Sequence, residues 1–194
     1  MPRVKTASKE QAILEAASHV FALRPFHEVL IDDIAADASI GKGTIYRYFP
    51  TKEDLYFATI LHGLDTLADI AARAIDPEPS PPRRLERIAA EITEFFWDKG
   101  YLCPLLPPQN ARNFDRHTEI LRRRGKLLRL VQETILAGIE RREFRGVDAR
   151  IAAEMFLGMV RSVILFRSPE DSSQELIANV IGVFLQGIRR SDAA

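Results

Sequence analysis

From one end of the chain to the other, apolar residues recur at spacings of three and four, and no stretch alternates apolar with polar between turn residues. Such spacings set apolar side chains on one stripe of a helix, whereas a half-buried strand needs period two. The sequence therefore predicts an all-α fold. Helix starts follow from capping chemistry, because the first N–H groups of a helix lack partners within it and a short oxygen-bearing side chain can supply one. Ser8 with Gln11 and Ser172 with Glu175 fit the reciprocal capping box, and Thr51 with Asp54 is a looser version. Ser80 precedes Pro81, a residue suited to a first helical position.

About nine helices are expected. The first sets Ile13, Ala17, Val20 and Phe21 on one face and ends before Pro25. Two much shorter units follow, around Asp32 to Ala38 and Lys42 to Phe49, before Pro50 breaks the chain and Thr51 opens a long helix through Leu55, Ile60, Leu64 and Leu67. The proline-rich run from Asp76 to Pro82 stops that helix, since proline lacks the N–H and biases its predecessor to extended geometry. Further helices are predicted from Pro81 to Lys99, about Asp115 to Arg142, about Asp148 to Phe166 and Ser173 to Arg190. Between the first two of these, Tyr101 to Pro108 is apolar but proline-broken, and is expected as partly buried irregular backbone.

Short helices joined by a tight turn suggest helix-turn-helix. From Ile34 to Leu55 the chain reads IAADASIGKGTIYRYFPTKEDL, in which Ile34, Ala38, Ile40, Ile45 and Phe49 supply an apolar side that locks the pair together. On the other side of the second helix lie Lys42, Thr44, Arg47 and Tyr48, with Tyr46 close by. Cationic, hydroxyl and aromatic groups near a helix N-terminus suit DNA, because such a helix fits the major groove and its side chains reach phosphates or base edges.

The run GKGTIYRYFPTKEDL, preceded by IDDIAADA and by a capped helix ending VFALRPF, resembles the DNA-binding domain of the tetracycline-repressor (TetR) family of bacterial regulators, over roughly residues 8 to 60. The resemblance implies a three-helix DNA-binding domain at 1–52 and an effector-binding and dimerisation domain at 53–194. It places Lys42, Gly43, Thr44, Tyr46, Arg47 and Tyr48 at the DNA-contacting positions of the recognition helix, and Lys52 at a phosphate contact on the fourth helix. Three departures stand out. Leu30 replaces the usual Thr before the second helix, and cannot cap it or bond a phosphate through a hydroxyl; Ser39 and Gly41 replace the common Gly and Ser around the turn. In Glu140-Arg-Arg-Glu-Phe-Arg145, which resembles the family's Arg-Gly-Glu-Phe helix ending, Arg142 stands for Gly and weakens the inference of a left-handed cap.

Charge narrows the function further. The 27 Lys+Arg and 27 Asp+Glu cancel, so no global basic field steers a polyanion to the surface and any DNA affinity must come from local charge. Over residues 1–55 seven cations face eight anions, but Arg3, Lys5 and Lys9 lie in or beside an N-terminal arm and Lys42, Arg47 and Lys52 along the reading surface, with Asp32, Asp33 and Asp37 on the preceding helix. Modest, salt-sensitive affinity is expected. The longest uncharged run, Leu176 to Ile188, is 13 residues, short of the roughly 20 that cross a bilayer. Lys9, Glu10 and Glu15 interrupt any apolar signal core, and the single Cys103 closes no intrachain disulfide, so a cytoplasmic protein without membrane contact is expected.

His19, His27, His62 and His117 have no zinc-binding spacing, and Glu91 with Glu94 has no partner nucleophile or base, so no metal, cofactor or catalytic residue is assigned. Phe95, Phe96 and Trp97 with Tyr101, and Met155, Phe156 and Met159, either form plain core or line a pocket for an apolar ligand, with His117 or Arg161 as its polar anchor. In the last helix Ile177, Val180, Ile181, Phe184, Leu185 and Ile188 belong to a stripe wider than one neighbour covers, and are assigned to a homodimer interface. The sequence reading is a homodimeric transcriptional regulator, a repressor released from a palindromic operator by a small, largely apolar effector. Its rivals are a helical ligand-binding protein that has lost specific DNA binding and a small helical enzyme.

Overall fold

The computed structural model describes residues 3–75, 80–97 and 114–189, without the side chains of residues 3–8 and 114. These residues form eight helices: α1 (Arg3–Leu23), α2 (Ile31–Asp37), α3 (Lys42–Tyr48), α4 (Lys52–Ile75), α5 (Pro81–Trp97), α6 (Phe114–Glu140), α7 (Ala149–Leu165) and α8 (Ser173–Ile188). The only β pairing among them is one isolated bridge, Phe144 to Arg189, so the fold is all-α. Eight helices stand against the nine or so expected. Tyr101, Cys103 and the stretch to Pro108 lie outside the described residues.

Side-chain caps set the starts of three helices, α4, α7 and α8. Thr51 Oγ1 accepts from Asp54 N–H at 3.0 Å while the Asp54 carboxylate accepts from Thr51 N–H at 3.2 Å. Ser172 accepts from Glu175 N–H at 3.2 Å, and Asp148, not singled out as a cap, accepts from Ile151 N–H at 2.9 Å. Ser8 is no cap: α1 already begins at Arg3, since Val4, Lys5, Thr6 and Ala7 include neither proline nor glycine to stop it.

Two helices end in the same way, without glycine. After α2, Ile40 N–H donates to Ala35 O at 3.0 Å and Ser39 N–H to Ala36 O at 3.1 Å, with Ser39 at φ 53°. After α6, Glu143 N–H donates to Gly138 O at 2.9 Å and Arg142 N–H to Ile139 O at 3.0 Å, with Arg142 at φ 61°. Both are Schellman endings with a left-handed residue just past the cap. Arg142 in place of glycine weakens the expectation of a left-handed cap, yet one forms: the two carbonyl bonds and the seating of Phe144 that follows hold the backbone there despite the side chain.

Residues 3–64 and 114–119 form one compact unit, and 65–75, 80–97 and 120–189 the other. The first is built on Ile13, Ala17, Val20 and Phe21 of α1, Ile31 and Ile34 of α2, Ile45 of α3 and Leu55 of α4, all buried. Burying one such side chain contributes about 1.5–3 kcal/mol, enough for a cluster of this size to hold two seven-residue helices that would not persist alone. In the second unit α5, α7 and α8 pack on one another, with Phe156 and Phe184 meeting edge to face at 5.0 Å. Phe144 and Arg145 close its end, Arg145 N–H donating to Ile188 O at 2.8 Å. Among the described residues no helix is long and apolar enough to cross a membrane.

Candidate nucleic-acid interface

The orientation of α3 is set by two buried residues. Ile45 is fully buried and Phe49, its C-cap, nearly so, which turns Lys42, Gly43, Tyr46 and Arg47 outward at spacings of one and four along one face. Thr44 and Tyr48 are half-buried at the flanks, and Tyr48 packs against the core of the unit. Four of the six residues expected to read DNA from this helix thus share one exposed side, Thr44 and Tyr48 lie at its edges, and the other side is anchored.

Gly43 is informative for what surrounds it. A β-carbon there would meet no atom of the chain within 4 Å, so nothing in the fold requires glycine. Glycine inside a helix costs about 1 kcal/mol relative to alanine. A residue that the fold does not need, at the centre of an exposed face, fits close approach by an outside surface.

Each cation of this face rests on a neighbour. Arg47 Cζ lies 5.4 Å from the centroid of Tyr48, and Lys52 Nζ 4.4 Å from that of Phe26. Phe26, in the loop after α1, is held by Tyr56 of α4 at 4.9 Å, and Tyr56 by Phe21 of α1, also at 4.9 Å, so an aromatic cluster from α1, that loop and α4 seats Lys52. Burial pushes the Tyr56 hydroxyl up from its ordinary pKa. Lys42 Nζ donates to Asp32 Oδ2 at 2.7 Å, and that hydrogen bond is the main cause of a raised ammonium pKa. At the start of α4, hydrogen bonds from Thr51 and the Arg116 guanidinium hold Asp54 below the usual carboxylate range. Sequence reasoning placed Asp32 on the preceding helix without seeing this contact, and missed Phe26 and Tyr56 as supports, because none of these pairings has a local spacing.

Leu30 is the N-cap of α2, extended and 60% exposed, with no side-chain cap bond. The Asp33 carboxylate takes its N–H instead, at 3.0 Å.

The residues expected to line a ligand pocket come from three helices, α5, α6 and α7. Phe95, Phe96 and Trp97 are half-buried at the end of α5, Phe95 and Phe96 meeting edge to face at 5.4 Å. Arg167 lies over the Trp97 ring at 4.7 Å and donates to Trp97 O at 3.1 Å, closing the end of that helix. Met159 and Arg161 are half-buried on α7, but Met155 is 60% exposed on its outer face. His117 is half-buried and belongs to the first unit, the other six to the second. Among the residues assigned to the dimer interface, Val180, Ile181, Phe184, Leu185 and Ile188 are buried within the single chain and Ile177 is half-buried. The structure gives these side chains to the chain's own core, because α5 and α7 already cover that side of α8. Among the described residues no group of three His, Cys, Asp or Glu is placed to hold a metal ion.

Two family descriptions match the chain in order: bacterial regulatory proteins, tetR family, over residues 13–59, and tetracyclin repressor-like, C-terminal domain, over residues 78–188. The fatty acid metabolism regulator protein of Bacillus subtilis (strain 168) is 23% identical over 188 residues, spanning 93% of this chain and 95% of that protein. Fatty acid degradation regulator FadR from Bacillus halodurans has a similar fold, with a TM-score of 0.78 at 22% identity over 94% of this chain and 97% of that one. FadR from Bacillus subtilis in complex with stearoyl-CoA gives 0.75 at 21% identity over 92% and 99%. The second family match alone spans more than half of the chain and the first contains the whole of α3, so the chain belongs to the TetR family of bacterial DNA-binding transcriptional regulators.

Proposed function

We propose that this regulator is a homodimeric repressor that reads a palindromic operator through Lys42, Gly43, Thr44, Tyr46, Arg47 and Tyr48, with Lys52 on a phosphate. The observation that carries the reading is the anchored, outward face of α3, with a glycine at its centre that the fold does not require. DNA binding is assigned to residues 1–52 and effector binding and dimerisation to 53–194, with α4 as the lever between them. Two copies on a two-fold axis would set their reading helices about 34–36 Å apart, one turn of DNA.

Dimerisation is assigned to the last two helices, on the sides that the chain leaves open. Ile151, Met155, Gly158, Ser162 and Leu165 recur at spacings of four and three along α7, and all are exposed; Val183 is 65% exposed on α8. An apolar face with small residues at its middle suits a self-complementary contact.

The effector carries a largely apolar part, and a fatty acyl-CoA thioester, an apolar chain on a polyanionic head, is the class to test first. The aromatic end of α5 supports it, together with the stearoyl-CoA held by a FadR of similar fold. Ligand acts only through its differential affinity for the DNA-competent and DNA-incompetent states.

The experiment is selection of random duplex DNA by the purified protein at two salt concentrations, followed by release with stearoyl-CoA against free CoA. An enriched palindrome, lost in Arg47→Ala and Tyr48→Ala and released by the thioester alone, is the expected result. No enrichment at low salt, with a ligand still raising the melting temperature, would favour a helical ligand-binding protein that no longer selects DNA; exposed Leu30, with no hydroxyl for a phosphate, is the observation on that side.

A further inference from the structure

Each carboxylate of α2 is held by a cation or histidine from elsewhere in the chain. Asp33 pairs with Arg24 at 2.8 Å, Asp37 faces His19 Nδ1 at 2.9 Å, and Asp32 takes Lys42 Nζ at 2.7 Å. The first two contacts tie α2 back toward α1 and leave the reading face untouched. The third engages the first residue of α3.

Lys42, Arg47 and Lys52 are the three cations of that face, and their partners differ in kind. Arg47 and Lys52 rest over aromatic rings, which attract a cation and leave its charge in place. Lys42 meets a carboxylate at hydrogen-bond distance, which cancels the charge and occupies a donor. A carboxylate oxygen and a phosphate oxygen offer an ammonium the same kind of anionic acceptor. The pair is open to water on both sides, Lys42 being 47% and Asp32 63% exposed, so it adds little to folding and is within reach of an incoming strand.

Resting on the DNA-binding reading, we infer that Asp32 is an internal competitor for the DNA backbone: it holds Lys42 as a phosphate would, and a duplex gains that contact only by displacing it. Asp32 acts through Lys42 and is a positioning residue, with no base of its own to read. The competition applies to every sequence alike. It lowers affinity for operator and other DNA by a similar factor and leaves the choice between them to Tyr46, Arg47 and Tyr48. Where Asp32 keeps Lys42 in the complex, one cation fewer neutralises phosphate and the dependence of binding on salt flattens; where the duplex displaces it, affinity alone falls.

The test measures affinity by fluorescence anisotropy across a salt series, for the duplex that wild type enriches from a random pool and for a scrambled duplex of equal length. Wild type is compared with Asp32→Asn, Asp32→Glu, Lys42→Gln and the Asp32→Asn/Lys42→Gln double variant. Asp32→Asn is expected to tighten both duplexes about three- to tenfold at low salt. It should steepen the slope of log K against log salt by up to about 0.9, the full value applying where Asp32 keeps Lys42 from phosphate in the wild-type complex. Asp32→Glu should stay within about twofold of wild type, and Asp32→Asn should change affinity less than about twofold once Lys42 is glutamine.

A purely structural role for Asp32, as an acid favouring the N-terminus of α2, predicts the opposite sign: weaker binding in Asp32→Asn. Weaker or unchanged binding in Asp32→Asn overturns the inference, as does an equal gain in the Lys42→Gln background, which would mean direct repulsion between Asp32 and DNA. Failure of wild type to enrich any duplex at low salt is a separate result, and sinks the DNA-binding reading itself.

Discussion

A β-carbon on Gly138 would lie 2.1 Å from Cδ2 of Phe144, inside the space that the ring fills. Phe144 is 2% exposed and its backbone is bridged to Arg189, so neither the ring nor its chain has room to withdraw. Gly138→Ala is expected to destabilise the protein by about 1–3 kcal/mol through overpacking, despite alanine's better helix propensity. Urea unfolding checks it. Phe144→Leu in the same chain should recover part of the loss, because the two sites share one space.

The turn that delivers Phe144 carries its own strain. Arg142 sits at φ 61°, where an L side chain crowds the following carbonyl at a cost of roughly 1–2 kcal/mol and glycine does not. Arg142→Gly is expected to raise the melting temperature by about 2 °C, as the relief is partly offset by the greater freedom of glycine in the unfolded chain. A fall in melting temperature would mean that the arginine side chain contributes more than its backbone costs.

Gly43 separates stability from function. With nothing within 4 Å of its missing β-carbon, Gly43→Ala should stabilise α3 by about 0.5–1 kcal/mol. The added methyl stands on the face assigned to DNA, so binding to the selected operator should weaken at least tenfold. Thermal unfolding and anisotropy on one sample read both. A stabilised variant that binds as well as wild type would move the closest DNA contact off Gly43.

The helices were legible because their apolar spacings and caps are local. Thr51 with Asp54 and Ser172 with Glu175 each lie three residues apart, and both caps form. Which side of a helix meets which neighbour was less legible. On α8 the sequence shows that Val180, Ile181, Phe184 and Leu185 are apolar, but whether α5 and α7 or a second chain covers them depends on contacts far along the chain. The same limit hid Asp32 behind Lys42, ten residues away, and Phe26 beneath Lys52. The ending at Arg142 was less legible for another reason: glycine is favoured in a left-handed cap by sterics of that residue alone, whereas the Phe144 anchor lies two residues on.

Glu154 gives a pH prediction. Both terminal guanidinium nitrogens of Arg124, Nη1 and Nη2, donate to its carboxylate, at 3.0 and 2.6 Å, and bring α6 to α7. The Arg124 hydrogen bonds hold its pKa below the ordinary value of 4.5, with the Arg124 and Arg150 charges assisting against partial burial. A depressed carboxylate contributes stability that is present above its unfolded pKa and lost as pH falls through the folded one. Glu154→Gln should therefore be less stable than wild type at pH 7, by about 0.5–1 kcal/mol for a partly exposed pair. The gap should close below about pH 4.5. A gap independent of pH down to 3 would show that packing, rather than charge, is what the substitution removes.

The open sides of α7 and α8 carry the last prediction. Met155 is 60% and Val183 65% exposed in the single chain, while Phe156 and Phe184, one residue on from each, are buried, so a charge at either exposed position need not disturb the fold. In a two-fold dimer each substitution enters the contact twice, and burying an unpaired carboxylate there costs several kcal/mol. Met155→Glu and Val183→Glu are thus expected to weaken dimerisation at least a hundredfold, with the melting temperature of the monomer little changed. Sedimentation across a concentration series reads the association directly. On the proposed arrangement of two reading helices on one palindrome, the same variants should bind an isolated half-site like wild type yet lose the full operator. Dimers that persist in both variants, alongside dissociation in Phe184→Ala, would return the interface to the stripe now assigned to the core.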